Sequence, residues 1–256
     1  MIQIINVKKS FDSHEVLQGI NLTIEEGKTT AIIGGSGCGK SVLLKHIIGL
    51  LKPDEGRILV RGIDISKLSK KELGEIRKRM GMVFQSAALF DSLTIAENIS
   101  MGLRRHSNLP EREIEARVHE SLSLVGLKGV EEKYPSELSG GMKKRAAIAR
   151  AIATRPELLL YDEPTTGLDP PRADAINQLI IELNQKLKIT SIVVTHDMHS
   201  VFRIADKVAM LEGTIRFYGT PEELLECTEP TVRTFLQAAR GHELLCELKP
   251  LEEAQY

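Results

Sequence analysis

The chain has only three cysteines in 256 residues, Cys38, Cys227 and Cys246. An odd number without metal-ligand spacing supports neither a disulfide framework nor a zinc site, and suits reduced thiols in the cytosol. No segment offers eighteen consecutive apolar residues, and the amino terminus lacks the charged-then-apolar pattern of an export signal, so the expected chain neither crosses a membrane nor leaves the cell by itself. Any membrane partner is then a separate polypeptide. An excess of one charge is also missing: 34 Lys and Arg against 35 Asp and Glu leave a formal net charge of −1. That balance gives no global basic surface for nucleic acid. Local basic clusters remain. Lys70-Lys71 and Arg77-Lys78-Arg79 read as solvated helix faces, and Lys143-Lys144-Arg145 as a source of positive potential at a helix start. Internal repeats and low-complexity stretches are absent, and 42% hydrophobic residues suffice for one large domain with a sizeable core.

Against that background one loop stands out, Gly34-Gly35-Ser36-Gly37-Cys38-Gly39-Lys40-Ser41. It has phosphate-loop spacing: Gly, four residues, then Gly-Lys-Ser. Ahead of it Thr29 to Ile33 reads as a short buried strand. Behind it Lys40 to Leu51 carries apolar Val42, Leu43, Leu44, Ile47 and Ile48 at helical spacing. Strand, turn and helix are the context this motif requires. The glycines let successive N–H groups point at one anion, and the helix start adds its partial positive charge. Lys40 is expected to reach the outer phosphates of a nucleotide, and Ser41 to place its hydroxyl on magnesium. Cys38 lies inside this loop. Its thiol is either reactive, being near a positive helix end, or a simple space-filling group, the reading preferred here.

A second strand-like run, Leu158 to Tyr161, ends in Asp162-Glu163-Pro164. Carboxylates at the C-terminal edge of a parallel strand suit two roles: Asp162 holding magnesium through water, and Glu163 orienting and activating the attacking water. Strand-like runs also precede Gln85 (Met80 to Phe84) and His196 (Thr190 to Thr195).

These motifs, in this order, resemble the nucleotide-binding subunit of an ABC transporter, over a span from about residue 2 to about residue 225. The resemblance implies an α/β P-loop ATPase core on a mainly parallel sheet, with an antiparallel β subdomain and an inserted helical subdomain. It further implies roles for particular residues. Phe11 is similar to the adenine-stacking aromatic, although a core position is its ordinary alternative. Gln85 is similar to the Q-loop glutamine, with magnesium and coupling roles, the alternative being a surface amide. Leu138-Ser139-Gly140-Gly141 is similar to the signature, Gly167-Leu168-Asp169 to the D-loop, and His196 to the switch histidine, which alone would read as a satisfied histidine at a strand end. Val42 completes the expected ATP-binding set. The family geometry implies a head-to-tail homodimer in which Ser139, Gly140, Gly141 and Asp169 act in trans on ATP held by the other copy.

The expected organisation is a first part of the ATP-binding core over 1–86, a helical subdomain with the signature over 87–154, a second part of the core over 155–225 and a C-terminal extension over 226–256. Glu97 to Arg105 and Glu111 to Leu124 show spaced apolar residues, with Pro110 placed for a first turn. No heptads are sustained here, which separates the chain from relatives with long coiled-coil arms. In the extension, Thr228-Glu229-Pro230 reads as a capped helix start and Gly241 as its stop. Leu244, Leu245, Leu248 and Leu251 form a second apolar set expected to dock on its own domain or on the partner copy.

A sharper resemblance is to ATPases of the Mla and Mce type. It is carried by Phe84-Gln85-Ser86-Ala87-Ala88-Leu89-Phe90, by Leu138-Ser139-Gly140-Gly141-Met142-Lys143-Lys144-Arg145, and less specifically by Arg77-Lys78-Arg79-Met80. Met142 stands where other ABC ATPases usually carry Gln, and a thioether cannot donate the hydrogen bonds of an amide. This resemblance implies ATP-driven phospholipid or other lipid trafficking across a bacterial cell envelope. The implied partners are a permease dimer in the membrane and a periplasmic or membrane-anchored lipid-binding (Mce-like) protein, with no nucleic acid. The implied location is the cytoplasmic face of the inner membrane. Ala87 to Phe90 would line the groove receiving the permease, or else pack in the core. Two alternatives remain open, an importer ATPase for amino acids, metals or another small solute, and a soluble ABC ATPase acting on ribosomes or DNA.

Overall fold

A computed structural model describes residues 1–12 and 14–239. The main sheet has the order β10-β9-β3-β8-β7-β6. These strands are β3 (Thr29–Ile33), β6 (Met80–Val83), β7 (Leu158–Asp162), β8 (Thr190–Val194), β9 (Lys207–Glu212) and β10 (Thr214–Gly219). All neighbours pair in parallel except β9 and β10. Every residue of β3 and β8 is buried, as expected of parallel strands covered on both faces.

The register decides where the chemistry falls. Ile32 lies opposite Val194, Val194 opposite Asp162, and Val83 opposite Tyr161. The C-terminal ends of β3, β8, β7 and β6 therefore stop at one level, and the segments that follow them leave from one edge. In open α/β sheets that edge is where ligands bind.

Side chains alternate along β7. Leu158 and Leu160 face a core shared with α1 (Lys40–Ile47) and a second sheet. That second sheet is antiparallel, with order β2-β1-β4-β5, built from β1 (Ile2–Phe11), β2 (His14–Ile24), β4 (Glu55–Val60) and β5 (Ile63–Asp64). Leu159 and Tyr161 face the opposite core, shared with α3 (Ile95–His106), α4 (Glu111–Leu124) and α5 (Gly140–Ile152). The period-two alternation of a strand thus joins the two halves of the molecule.

The helix starts follow from local chemistry. Thr94 accepts from the Glu97 N–H while the Glu97 carboxylate accepts from the Thr94 N–H, a complete capping box opening α3. The same pair of bonds, between Ser69 and Glu72, opens α2 (Lys70–Arg77). Pro110 is the cap residue of α4 rather than its first helical residue. α1 ends at Ile47, short of the expected Leu51, and Arg77 donates to the carbonyls of Ile48 and Gly49 beyond that end, at 2.9 and 2.8 Å. The solvated-face reading holds for exposed Lys70 and Lys71 and fails for Arg77, whose cation closes the negative end of α1.

Close contact between α5 and the sheet is set at Gly81. A Cβ there would fall 2.6 Å from Leu159 Cδ1 and 2.7 Å from the Ala151 carbonyl oxygen, so only hydrogen fits. Downstream lie α6 (Pro170–Leu187), α7 (Met198–Ile204) and α8 (Pro221–Glu226), then α9 (Pro230–Ala239). α9 buries Val232 and Leu236 against Ala31, Ile33, Val201, Met210 and Leu224. The first part of the expected extension thus packs on its own core. Its expected stop at Gly241, the later leucines and Cys246 lie outside the described residues.

Candidate functional site

The loop between β3 and α1 lies at the convergent edge. Gly34 can have no side chain, since a Cβ would meet the Leu211 carbonyl oxygen at 2.2 Å and Cys38 Sγ at 2.8 Å. Gly35, Ser36 and Gly37 are exposed, whereas Gly39 and Lys40 are buried. The Lys40 ammonium donates to the carbonyl oxygens of Gly34 and Gly35 at 2.9 and 2.8 Å. Among the described residues no carboxylate lies within ion-pair distance of it. A buried cation with only neutral partners is a site that fits an anion. Val42 is half-buried, and its carbonyl accepts from His46 Nδ1 at 2.8 Å.

Ser41 Oγ donates to Asp162 Oδ1 at 3.0 Å, joining the start of α1 to the end of β7. Burial pushes the Asp162 carboxyl up, the Ser41 bond opposes the rise, and the charge of neighbouring Glu163 adds to it. A cation at this point would relieve both the burial and the repulsion. Among the described residues no group of three or more His, Cys, Asp or Glu forms a metal cage. A hydroxyl and one carboxylate fit a hard cation whose other ligands are phosphate oxygens and water, which is the coordination magnesium takes.

Glu163 adopts φ 51°, a left-handed conformation uncommon outside glycine. Its N–H donates to the Val194 carbonyl at 2.9 Å, tying the turn after β7 to the end of β8. Its side chain is 12% exposed, and His196 Nδ1 lies 2.8 Å from Oε1. Thr166 Oγ1 donates to Oε2 at 3.0 Å. A carboxylate can only accept, so this contact requires the proton on Nδ1. In the neutral ring Nε2 is then an acceptor, and donation from Nε2 to a phosphate requires the imidazolium or release from Glu163.

The other expected residues lie on the surface. Phe11 is 41% exposed at the end of β1, with Lys9 Nζ 5.4 Å from its ring centroid, so the core alternative does not apply. The Gln85 side chain is exposed. Ser139 caps α5, its hydroxyl oxygen accepting from the Met142 N–H at 3.4 Å. Asp169 caps α6, accepting from the Arg172 N–H at 3.0 Å. Of the four apolar residues after Ser86, Ala87 is buried and Leu89 packs on the core, whereas Ala88 and Phe90 are exposed. Burial pushes the Cys38 thiol up, and Lys40 opposes this more weakly; with Sγ filling the space beside Gly34, the space-filling reading fits.

Sequence reasoning missed the direction of two cations. Lys144 is buried and donates to the carbonyl oxygens of Gln85 and Glu163, the second at 3.4 Å, while Arg145 Nη1 reaches the Val125 carbonyl at 3.4 Å. Neither serves the outward field expected of Lys143-Lys144-Arg145. Arg150 likewise donates to the carbonyls of Ala88 and Ala87 at 2.6 and 3.0 Å. Backbone carbonyls carry no residue signature, so no pattern in the sequence marks these pairs.

Comparison with known proteins agrees with this arrangement. The ABC transporter family profile matches residues 17–166. The intermembrane phospholipid transport system ATP-binding protein MlaF of Haemophilus influenzae is 45% identical over 238 residues, covering 93% of this chain and 90% of that one. The probable ribonucleotide transport ATP-binding protein mkl of Mycobacterium tuberculosis is 43% identical over 240 residues, covering 93% of this chain and 67% of that one. Among solved structures, a dimeric post-hydrolysis ATP-binding cassette bound to ADP and Pi superposes with a TM-score of 0.79 at 33% identity, covering 86% of this chain and 99% of that one. A second, cbiO1 from Clostridium perfringens, gives 0.82 at 35% identity, covering 95% and 98%. Motif order, the edge at which the motifs converge and these similarities agree: the chain belongs to the ABC transporter family of ATP-binding proteins.

Proposed function

We propose that this chain is the ATP-hydrolysing subunit of an ABC transporter that moves phospholipid or another lipid across a bacterial cell envelope. The observation carrying the ATPase reading is Lys40, a buried cation held by two carbonyls and the Cys38 sulfur, all neutral, beside an Asp162 carboxyl that burial pushes up. One centre calls for an anion and the other for a cation, which is the pair of requirements that magnesium and a nucleotide phosphate satisfy together.

In this reading Phe11 stacks on the base, and Gly34 through Val42 hold the phosphates with their N–H groups and the Lys40 ammonium. Ser41, Gln85 and Asp162 hold magnesium, Asp162 through water. Magnesium supplies neutralisation of charge on the outer phosphate oxygens. Glu163 accepts the proton of the attacking water, and His196 fixes the carboxylate that accepts it.

Ser139, Gly140, Gly141 and Asp169 act on nucleotide held by a second copy. Support comes from the two glycines at the start of α5. Beyond its chain neighbours and the local helix backbone, a Cβ at Gly140 or Gly141 would come no nearer than 3.9 Å to any atom, so among the described residues no close contact calls for glycine there. Glycine is nevertheless a weak helix former, costing up to about 1 kcal/mol relative to alanine in a helix interior and less at a helix start. Close approach by a ligand on another molecule accounts for them. The domain reading is retained: core over 1–86 and 155–225, helical subdomain over 87–154, extension over 226–256. Among the described residues no helix is long and apolar enough to cross a membrane. The proposed partners are a permease dimer and an Mce-like lipid-binding protein, with this subunit on the cytoplasmic face of the inner membrane.

The names of the relatives divide between phospholipid and ribonucleotide transport. The relative named for phospholipid is matched over 90% of its length and the other over 67%, and the resemblance of the Met142 signature to ATPases of the Mla and Mce type supports the lipid reading. Purification of the tagged chain from its native membrane, reconstitution of what co-elutes, and measurement of ATP-dependent transfer of labelled phospholipid tests the proposal. ATP-dependent uptake of nucleosides or another small solute without lipid transfer would overturn the lipid assignment.

A further inference from the structure

α5 begins with Ser139-Gly140-Gly141, yet its buried side carries cations. Lys144 is 7% exposed, and its ammonium reaches two backbones at once: it donates to the Gln85 carbonyl after β6 and lies 3.4 Å from the Glu163 carbonyl after β7. Among the described residues no carboxylate oxygen is within ion-pair distance of it. If packing alone were required, an apolar chain of the same length would avoid the desolvation of an ammonium.

The two backbones it reaches belong to the conformationally costly parts of the site. Glu163 is left-handed at φ 51°, and after Gln85 so are Ala87 and Ala88, at 64° and 48°. Non-glycine residues persist there only when their surroundings hold them. Arg150, six residues along α5, donates to the carbonyls of both alanines. One helix therefore holds the segment after Gln85 through two cations and shares one of them with the turn that carries the hydrolytic carboxylate.

We propose that Lys144 is a positioning residue for hydrolysis, holding the backbones of Gln85 and Glu163 in register with the helix that presents Ser139, Gly140 and Gly141. Glu163 then points its carboxylate for attack when α5 is seated, and the signature end of α5 and the water-activating group move as one body. This rests on the reading of Glu163 as the base. Both bonds of the Lys144 ammonium go to backbone carbonyls, so its loss is expected to leave ATP affinity in place and to lower turnover.

The test compares Lys144→Met, Lys144→Arg and Glu163→Gln in the full chain, measuring kcat, KM for ATP, affinity for a fluorescent ATP analogue and melting temperature. The expected result for Lys144→Met is a fall in kcat of about tenfold to a hundredfold, the range for a small misplacement of a reacting group. KM and analogue affinity stay within about threefold of the unmodified chain, and Lys144→Arg recovers most of the turnover. Should Lys144→Met fail to fold, Lys144→Gln, neutral but still a donor, takes its place, with a fall in kcat of about tenfold expected. A lowered melting temperature with unchanged kcat per folded molecule overturns the positioning role, as does a rise in KM matching the fall in kcat/KM. Full turnover by Glu163→Gln would instead overturn the underlying assignment of the base.

Discussion

His196 Nδ1 lies 2.8 Å from Glu163 Oε1, joining the ends of two neighbouring parallel strands through their side chains. The second carboxylate oxygen is held by Thr166, so the acid is oriented at both oxygens. Each oxygen keeps a further lone pair for water. An amide keeps the His196 contact at its oxygen and can donate its NH2 to the Thr166 hydroxyl oxygen, which also accepts, so positioning survives while proton acceptance is lost.

Glu163→Gln is therefore expected to bind ATP and to hydrolyse it about a hundredfold or more slowly, the usual contribution of a general base. With ATP present the variant should accumulate as a dimer on size-exclusion chromatography. Hydrolysis at the unmodified rate would show that another group takes the proton.

Lys40→Ala removes the cation that bridges the Gly34 and Gly35 carbonyls and would face the outer phosphates. Binding of a fluorescent ATP analogue should become undetectable while the far-ultraviolet circular dichroism stays unchanged. Retained nucleotide would place the phosphates elsewhere.

His46 gives a pH dependence. It is buried, Nδ1 lies 2.8 Å from the Val42 carbonyl oxygen, Nε2 has no hydrogen-bond partner among the described residues, and burial pushes its pKa down despite that backbone contact. The unfolded chain then binds the proton first, so stability is fully present above the unfolded value of about 6.5 and is lost as pH falls below it. Melting temperature recorded from pH 7.5 to 5 should decline in the unmodified chain and decline less steeply in His46→Gln. Identical slopes would assign the acid sensitivity to other groups.

Lys188 closes α6 in the left-handed conformation, φ 54° and ψ 38°, and is exposed. Glycine carries no Cβ penalty there, so Lys188→Gly is expected to stabilise the fold by about 0.5–1 kcal/mol. In a chain of this size about 1 kcal/mol corresponds to a rise of roughly 2–4 °C in Tm. ATPase activity should not change. A lower Tm would mean that the lysine side chain makes a stabilising contact outweighing the backbone strain.

The parts of the site written contiguously were legible in the sequence. Gly34 to Ser41 and the Asp162-Glu163 pair follow strands whose apolar runs matched β3 and β7 to within a residue, because fully buried parallel strands read as unbroken hydrophobic segments. The inserted helices were legible for a related reason: their apolar spacing is local, although the caps at Thr94 and Pro110 were not read from the sequence. Contacts between a long side chain and a distant backbone were not. Lys144 with Gln85, Arg150 with Ala87 and Arg77 with Ile48 each pair a cation with a carbonyl that every residue possesses. Arg77-Lys78-Arg79 therefore looked solvated and Lys143-Lys144-Arg145 looked like a source of positive potential, when Arg77, Lys144 and Arg145 reach backbone carbonyls. The bulged pairing of β1 with β2, shifted in register at three places, likewise follows no regular period.

Gly81 gives the α5 contact a consequence beyond packing. Because a hydrogen stands where any other residue would bring a carbon, the far end of α5 rests directly on the backbone layer at the Ala151 carbonyl. A single added methyl there would push against the Ala151 carbonyl and lift that end of α5, a displacement transmitted along the helix toward Ser139 at its opposite end.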